Sequence, residues 1–401
     1  MTPEDRQKIL QEKPSSPYPA EPQLGAWYTE AEIDATVKAI RDSMDYRIGF
    51  GFNVDEIVKF EEEFAAYCGT QFAVSLVTAS VGLDIAMMCL DLQPGDEVIT
   101  PALNFKACSL AIIGQGGQPV LCEVDPRTFN ADPVDIERRI TPRTRAILAV
   151  HMNGLSAPMD DYLEIADRHP HVEHGPLKVI GDAARACGGG YKGTKIGKRG
   201  WMTVFSFHTM KLITTLGEGG MITTDDKALA TRIRNIRQWG GGEEWGTSYK
   251  ITKPQAAVGS VQLGRLDEML ALRAQRAHER QAMLKGIPEL TLTYEPPDCE
   301  HTFYLNTLLV PKPWAGDKRD ELCSLLLDKY NVGTMVGNPP VWQNHDFIGS
   351  HVGGQPDSLP VSTETALRLF CVSLHPQMTE RENAYIAAAL WEAVKQILKE
   401  T

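Results

Sequence analysis

Short apolar runs rich in β-formers alternate with helical stretches through the first two-thirds of the chain. Runs at 73–77, 97–101, 119–124, 146–151, 178–183, 203–207 and 221–224 lack a polar–apolar alternation, which predicts strands covered on both faces. Most intervals between them are long enough for a crossover helix. The pattern therefore predicts an α/β fold with a large, doubly wound, mostly parallel sheet of seven strands. The last two runs are closely spaced and leave room for one antiparallel member. Ahead of the first strand, Ile57, Phe60, Phe64 and Tyr67 recur at helical spacing up to Gly69. Asn53 with Glu56 resembles a capping box at the start of that helix.

The pattern changes near Pro254. Leu263, Leu266 and Leu270 lie at helical spacing in a segment running to about Gly286, which predicts a helix joining two domains. Beyond it, 301–311 reads as a strand and 319–330 as a helix. The chain ends in a helix with Thr379 and Glu382 as capping box and Ile386, Leu390, Val394 and Ile397 as its apolar face. Pro14, Pro17, Pro19 and Pro22 mark the start of the chain as an extended arm. The expected division is an arm at 1–25, a large cofactor-binding domain at 26–255, and a connecting helix with a smaller α/β domain at 256–401. A chain of 401 residues is compatible with that, at about 150 residues per domain.

Composition changes this picture little. Hydrophobic residues make up 43% and charged residues 23%, which is ordinary for a globular protein and argues against a disordered or fibrous chain. Asp and Glu outnumber Lys and Arg by 52 to 40, a formal net charge of −12. That argues against nucleic acid as a partner, since a phosphate backbone favours a basic face, but not against one small anion at a local site. The eight cysteines are scattered with no C-x-x-C pair, and read as buried thiols in a reducing compartment. The N-terminus is charged, without the apolar core of a signal peptide, and no segment reaches membrane-spanning length. A cytoplasmic location without membrane attachment is expected.

Ligands of doubly wound sheets bind beyond the carboxyl ends of the strands, so the residues leaving each strand are the candidates. Thr78-Ala79-Ser80 follows the first run and precedes a helix, where small residues let backbone N–H groups and hydroxyls meet an anion; the same residues also suit a plain turn. Asn104-Phe105 follows the second. Asp182 ends an apolar run, and a carboxylate there needs a partner, either a protein Arg or the protonated ring nitrogen of a cofactor. Ser206 and His208 precede Lys211, which stands before the glycine-rich turn at Gly219-Gly220. A lysine shielded there is a candidate for a depressed pKa and imine formation. His169, His171 and His174 lack a Cys or acid to complete a metal set, so no metal is expected. An amine, an acid, a flat ring and phosphate donors at successive strand ends are what pyridoxal phosphate requires.

The chain resembles the DegT/StrS family of pyridoxal-phosphate-dependent sugar aminotransferases, which have the aspartate aminotransferase-like (type I) fold. The resemblance runs from about Gly49 to the C-terminal helix, through PGDEVITPALNF (94–105), TPRTRAILAVHMNGLSAPMD (141–160), GDAARACGGGYKGTKIG (181–197), FSFHTMKLITTLGEGGMITTDD (205–226), KPQAAVGSVQLGRLD (253–267) and SLHPQMT (373–379). It implies Lys211 as the Schiff-base lysine, Asp182 as partner of the pyridine nitrogen, Phe105 stacked on the ring, and Ala79, Ser80, Val81 and Ser206 around the phosphate. Three positions depart from the family pattern. Arg185 replaces a glutamine near the cofactor's phenolic oxygen. Ser248 stands where an Asn reaches the neighbouring subunit's phosphate. Asn338 lies where a His-Tyr pair stands near the substrate, and His208 is a further candidate for substrate contact.

The implied reaction moves an amino group from glutamate or glutamine to a keto sugar or keto cyclitol, in amino-sugar or secondary-metabolite biosynthesis. The implied assembly is a homodimer with shared active sites. Two alternatives are a deoxysugar dehydratase, whose relatives carry His in place of the lysine, and a non-catalytic ligand sensor. The retention of Lys211, Asp182 and Phe105 favours the transaminase.

Overall fold

Seven strands form one sheet in a computed structural model that describes residues 1–52 and 54–399. They are β1 (Phe72–Leu76), β2 (Glu97–Pro101), β3 (Gln118–Cys122), β4 (Thr144–Val150), β5 (Lys178–Asp182), β6 (Met202–Ser206) and β7 (Gly220–Thr224). Their order across the sheet is β1-β7-β6-β5-β4-β2-β3. Strand β7 runs antiparallel to both neighbours, and the other six share one direction. The segment between β6 and β7 forms no helix, so the chain turns back instead of crossing over.

Both faces of the sheet are covered. Val74, Leu76, Val204 and Ile222 face a cluster with Leu83, Ile85 and Met87 of the helix Ala79–Met88. Their strand neighbours Ala73, Phe205 and Met221 face the opposite cluster, which holds Phe60 and Phe64 of the helix Asp55–Cys68. The expected cap of that helix, Asn53, lies outside the described residues. The helix Lys253–Leu284 has 32 residues and a length of about 48 Å at 1.5 Å per residue. It packs against the helices Glu30–Asp42, Asp55–Cys68 and Glu380–Lys399, with Gly259 so close to the Phe60 ring that a Cβ there would lie 2.6 Å away. The three-stranded antiparallel sheet that follows has Leu369–Val372 between Asn306–Leu309 and Thr334–Met335. In the last helix, Glu382 accepts from Thr379 N at 2.7 Å and Thr379 Oγ1 accepts from Glu382 N at 3.2 Å. Its face of Ile386, Leu390, Val394 and Ile397 is buried.

Two expectations are corrected. The first 25 residues are not wholly extended: Pro3–Leu10 is a helix, because Thr2 and Asp5 form a reciprocal capping box and Arg6 pairs with Glu392 at 2.7 Å. The strand expected over 301–311 is shorter, Asn306–Leu309. Phe303 has a φ of 49°, which ends extended structure, while Thr302 N and Leu305 N bond Gly154 O and Asn153 O at 2.9 and 3.2 Å. The segment before the strand is thereby drawn towards the end of β4.

The start of the sheet is held by a buried charge cluster. Glu61 accepts from Ser75 N at 2.9 Å and Ser75 Oγ at 2.8 Å, and it pairs with Arg237, which also donates to Ser75 O at 2.9 Å. Glu61 and Arg237 are 6% and 4% exposed, so removing Glu61 leaves the Arg237 charge dehydrated and without a carboxylate partner. Glu61→Ala is expected to lower unfolding stability by about 3–5 kcal/mol, measured as the midpoint shift in urea denaturation.

Candidate active site

The strand-end residues converge on a cavity of about 390 Å³. Helix Ala79–Met88 opens into it because Thr78 leaves β1 in extended conformation and its Oγ1 accepts from Val81 N at 3.1 Å. The amides of the first turn are thus presented beyond the strand end. Gly220, at the start of β7, makes this placement possible: a Cβ there would lie 2.6 Å from the carbonyl carbon of Thr78. Thr78, Ala79 and Ser80 line the cavity, and Val81 stands behind them as the residue bonded to the cap. Phe105, after β2, is 54% exposed at its edge.

Asp182 closes the floor at 6% exposure. Its Oδ1 accepts from Ala184 N at 2.9 Å and its Oδ2 from the Cys108 thiol at 3.1 Å. Among the described residues no Lys or Arg forms an ion pair with it. A thiol is a weak donor, so this buried carboxylate still has capacity for a cationic N–H. That is the need of a protonated ring nitrogen, and the donor set fits pyridoxal phosphate.

Lys211 and His208 lie in the turn between β6 and β7, and both line the cavity with Ser206, the last residue of β6. Burial first, and the Arg185 guanidinium second, push its pKa down to about 8, against the pull of Glu21, Asp182 and Glu218. Its amine donates to Tyr304 Oη at 3.0 Å, and the Tyr304 hydroxyl donates to Glu21. Both Tyr304 and Glu21 line the cavity.

The sequence did not mark either residue. Tyr304 sits in the apolar run read as strand, and Glu21 in the proline-rich arm. Nor does the sequence set Cys108 apart from the other seven scattered cysteines.

Two candidates stand outside the cavity, and a third lines it with its guanidinium already engaged. Arg185 lines the cavity, but its Nη1 is bonded to Asn153 Oδ1 at 3.2 Å and to Asn338. Asn338 lies beneath it, buried, donating to Asn153 Oδ1 at 2.9 Å. It props Arg185 and does not line the cavity. Ser248 is also outside the cavity and accepts from Lys250 Nζ at 2.9 Å.

Residues 29–391 match the model of the DegT/DnrJ/EryC1/StrS aminotransferase family. The GDP-perosamine synthase of Caulobacter vibrioides is 45% identical over 347 residues, 83% of this chain and 89% of the relative. The dTDP-3-amino-3,4,6-trideoxy-alpha-D-glucose transaminase of Streptomyces venezuelae is 33% identical over 383 residues, 93% of this chain and 96% of the relative. The crystal structure of S. venezuelae DesV in complex with a ketimine intermediate superposes with a TM-score of 0.83 at 32% identity, covering 94% of this chain and 98% of that one. This protein, with its strand-end amine, buried acid and seven-stranded sheet, belongs to the DegT/DnrJ/EryC1/StrS aminotransferase family, whose members depend on pyridoxal phosphate.

Proposed function

We propose that this chain transfers an amino group from an amino-acid donor, glutamate or glutamine, to a keto sugar. The observation that carries the reading is Lys211, a partly buried amine with a lowered pKa, sharing one cavity with an unpaired buried carboxylate and the N-terminus of a ten-residue helix. The names of the relatives carry GDP- and dTDP-linked sugars, which supports an acceptor attached to a nucleoside diphosphate.

Bound pyridoxal phosphate supplies an electrophilic aldehyde and an electron-accepting ring. Asp182 would hold a proton on the ring nitrogen. The first-turn amides at Ala79 and Ser80, with the Thr78 and Ser206 hydroxyls, would hold the phosphate at the positive end of the helix. Phe105 would cover the ring and exclude water. Lys211 Nζ would be the amine that holds the cofactor and, once free, the general base for the proton on the donor's α-carbon. The same amine would return protons in the reverse half-reaction. The dehydratase reading is disfavoured because a lysine, not a histidine, stands at 211.

A second copy of this chain is the expected partner. The stretch 44–52 exposes Met44 at 77%, Tyr46 at 94% and Phe52 at 61%. Phe52 meets the exposed Trp239 edge-on at 5.6 Å between ring centroids, and Lys250 covers Trp239 at 3.8 Å. So much exposed aromatic surface beside Ser248 suits an interface, and Ser248 then serves the neighbouring site. No helix among the described residues is long and apolar enough to cross a membrane, and the eight cysteines are free, which supports a reducing, cytoplasmic setting.

Four outcomes are expected. The purified protein binds pyridoxal phosphate with a visible absorption band that shifts on adding glutamate. Lys211→Ala loses the lysine-bound band and turnover, whereas Asp182→Ala keeps the band and loses about a hundredfold or more in kcat; a colourless wild-type protein that takes up no cofactor overturns the reading. In protein freed of cofactor, the rate of cofactor uptake by Lys211 tracks the neutral amine. It climbs as pH rises to about 8 and levels off above it, two pH units or so below an ordinary lysine. Trp239→Asp weakens the dimer and lowers turnover on dilution, read by sedimentation velocity and assay at matched concentrations.

A further inference from the structure

The N-terminal segment reaches into the active site. Gly25 N donates to Thr209 O at 2.9 Å, and Thr209 Oγ1 donates to Gln23 O at 3.0 Å. Gly25 passes so close to the lysine turn that a Cβ on it would lie 2.2 Å from Met210 O and 2.4 Å from Lys211 O. The buried Arg273 clamps the same residue from the other side, donating to Gly25 O at 2.6 Å. Held this way, the segment delivers Glu21 to the Tyr304 hydroxyl, which is itself bonded to Lys211. Tyr304 is 4% exposed, so water does not compete freely for its single proton.

That proton has two possible destinations. Donated to Lys211, it occupies the lone pair of the neutral amine, the pair that attacks carbon or takes up a proton. Donated to the Glu21 carboxyl oxygen, a charge-assisted acceptor, it leaves Tyr304 able only to accept from the amine. The lone pair then faces the cavity.

We propose that Glu21 is a positioning residue that fixes the direction of the Tyr304–Lys211 hydrogen bond, keeping the lone pair of the free lysine amine unblocked. The proposal rests on the reading of Lys211 as the reacting amine. The other groups facing that amine are Arg185, Asp182 and Glu218, with His208 on its own turn. Arg185, Asp182, Glu218 and His208 are unchanged in the variants below, so they do not confound the comparison.

The test reads the amine directly, without cofactor or turnover. Full-length protein freed of cofactor is treated with cyanate, and carbamylation of Lys211 is followed by peptide mass spectrometry across pH, with the exposed Lys8 in the same digest as reference. The amine adds to the carbon of cyanic acid, its proton passes to the cyanate nitrogen, and nothing leaves. Each rate is divided by the cyanic acid concentration at that pH; the plateau of this rate constant above the amine pKa reports the availability of the lone pair, and its midpoint reports the surrounding charge.

Glu21→Gln keeps a carbonyl acceptor for Tyr304, so its plateau stays at the wild-type rate while its midpoint moves down with the lost negative charge. Glu21→Ala frees the tyrosine proton to cap the amine, so its plateau falls about tenfold, the scale of one hydrogen bond. Adding Tyr304→Phe to Glu21→Ala removes that proton and restores the plateau. A double variant as slow as Glu21→Ala overturns the proposal, as does a Glu21→Ala plateau equal to wild type. An arm that merely braces the turn slows Glu21→Ala and the double variant alike. If the wild-type protein is carbamylated as expected but binds no pyridoxal phosphate, the transaminase reading fails while the lone-pair inference stands on its own result.

Discussion

A primary amine attacks carbon only while it is neutral, and water stabilises its charged form. The surroundings of Lys211 answer that constraint. Burial and the neighbouring Arg185 favour loss of the proton, while Glu21, Asp182 and Glu218 restrain it, so the pKa of the amine is pushed down to about 8. Arg185 contributes because the groups that hold it are neutral: Asn153 and Asn338 accept from it, and the Tyr304 ring lies beneath it at 5.6 Å. An acid paired to Arg185 would cancel its effect on the lysine. The asparagines orient the guanidinium without neutralising it.

The sheet supplies the geometry for this balance. Strands β1, β5 and β6 run in one direction and end at one edge, which brings Thr78, Asp182 and Ser206 together from distant parts of the sequence. Strand β7 runs the other way, so its first residue, Gly220, stands at that same edge. The missing side chain at Gly220 lets helix Ala79–Met88 begin against the turn that carries Lys211. The first-turn amides of that helix and the amine are therefore set by a single crossing of two backbones.

Much of this was legible in the chain because a strand buried on both faces is a continuous apolar run, and the first polar residue after it marks the edge of the sheet. All seven strands, together with Asp182, Lys211 and the small residues after β1, could be placed that way. Tyr304 could not, since the apolar run around it looks like strand and only the positive φ at Phe303, imposed by long-range contacts with the loop after β4, turns it into the site. Glu21 carried no signal, because a proline-rich segment has no periodicity and its docking depends on Thr209 and Arg273, far away in sequence. The departures at Arg185, Asn338 and Ser248 were visible as letters. Their geometry was not: Asn338 accepts from Arg185 outside the cavity lining, and Ser248 lies outside that lining too.

The bond between Tyr304 and Glu21 spans 283 positions. A ribosome makes the strand ends, Lys211 included, before it makes residue 304, and domains fold as units while synthesis proceeds. The large sheet can therefore be complete while the lysine lacks its hydroxyl partner, with the arm already made but not yet locked to Tyr304. Closing so long a loop is among the slow contacts of folding. The finished chemistry of the amine then belongs to the completed chain, and a nascent one carries the lysine before it carries the group that aims it.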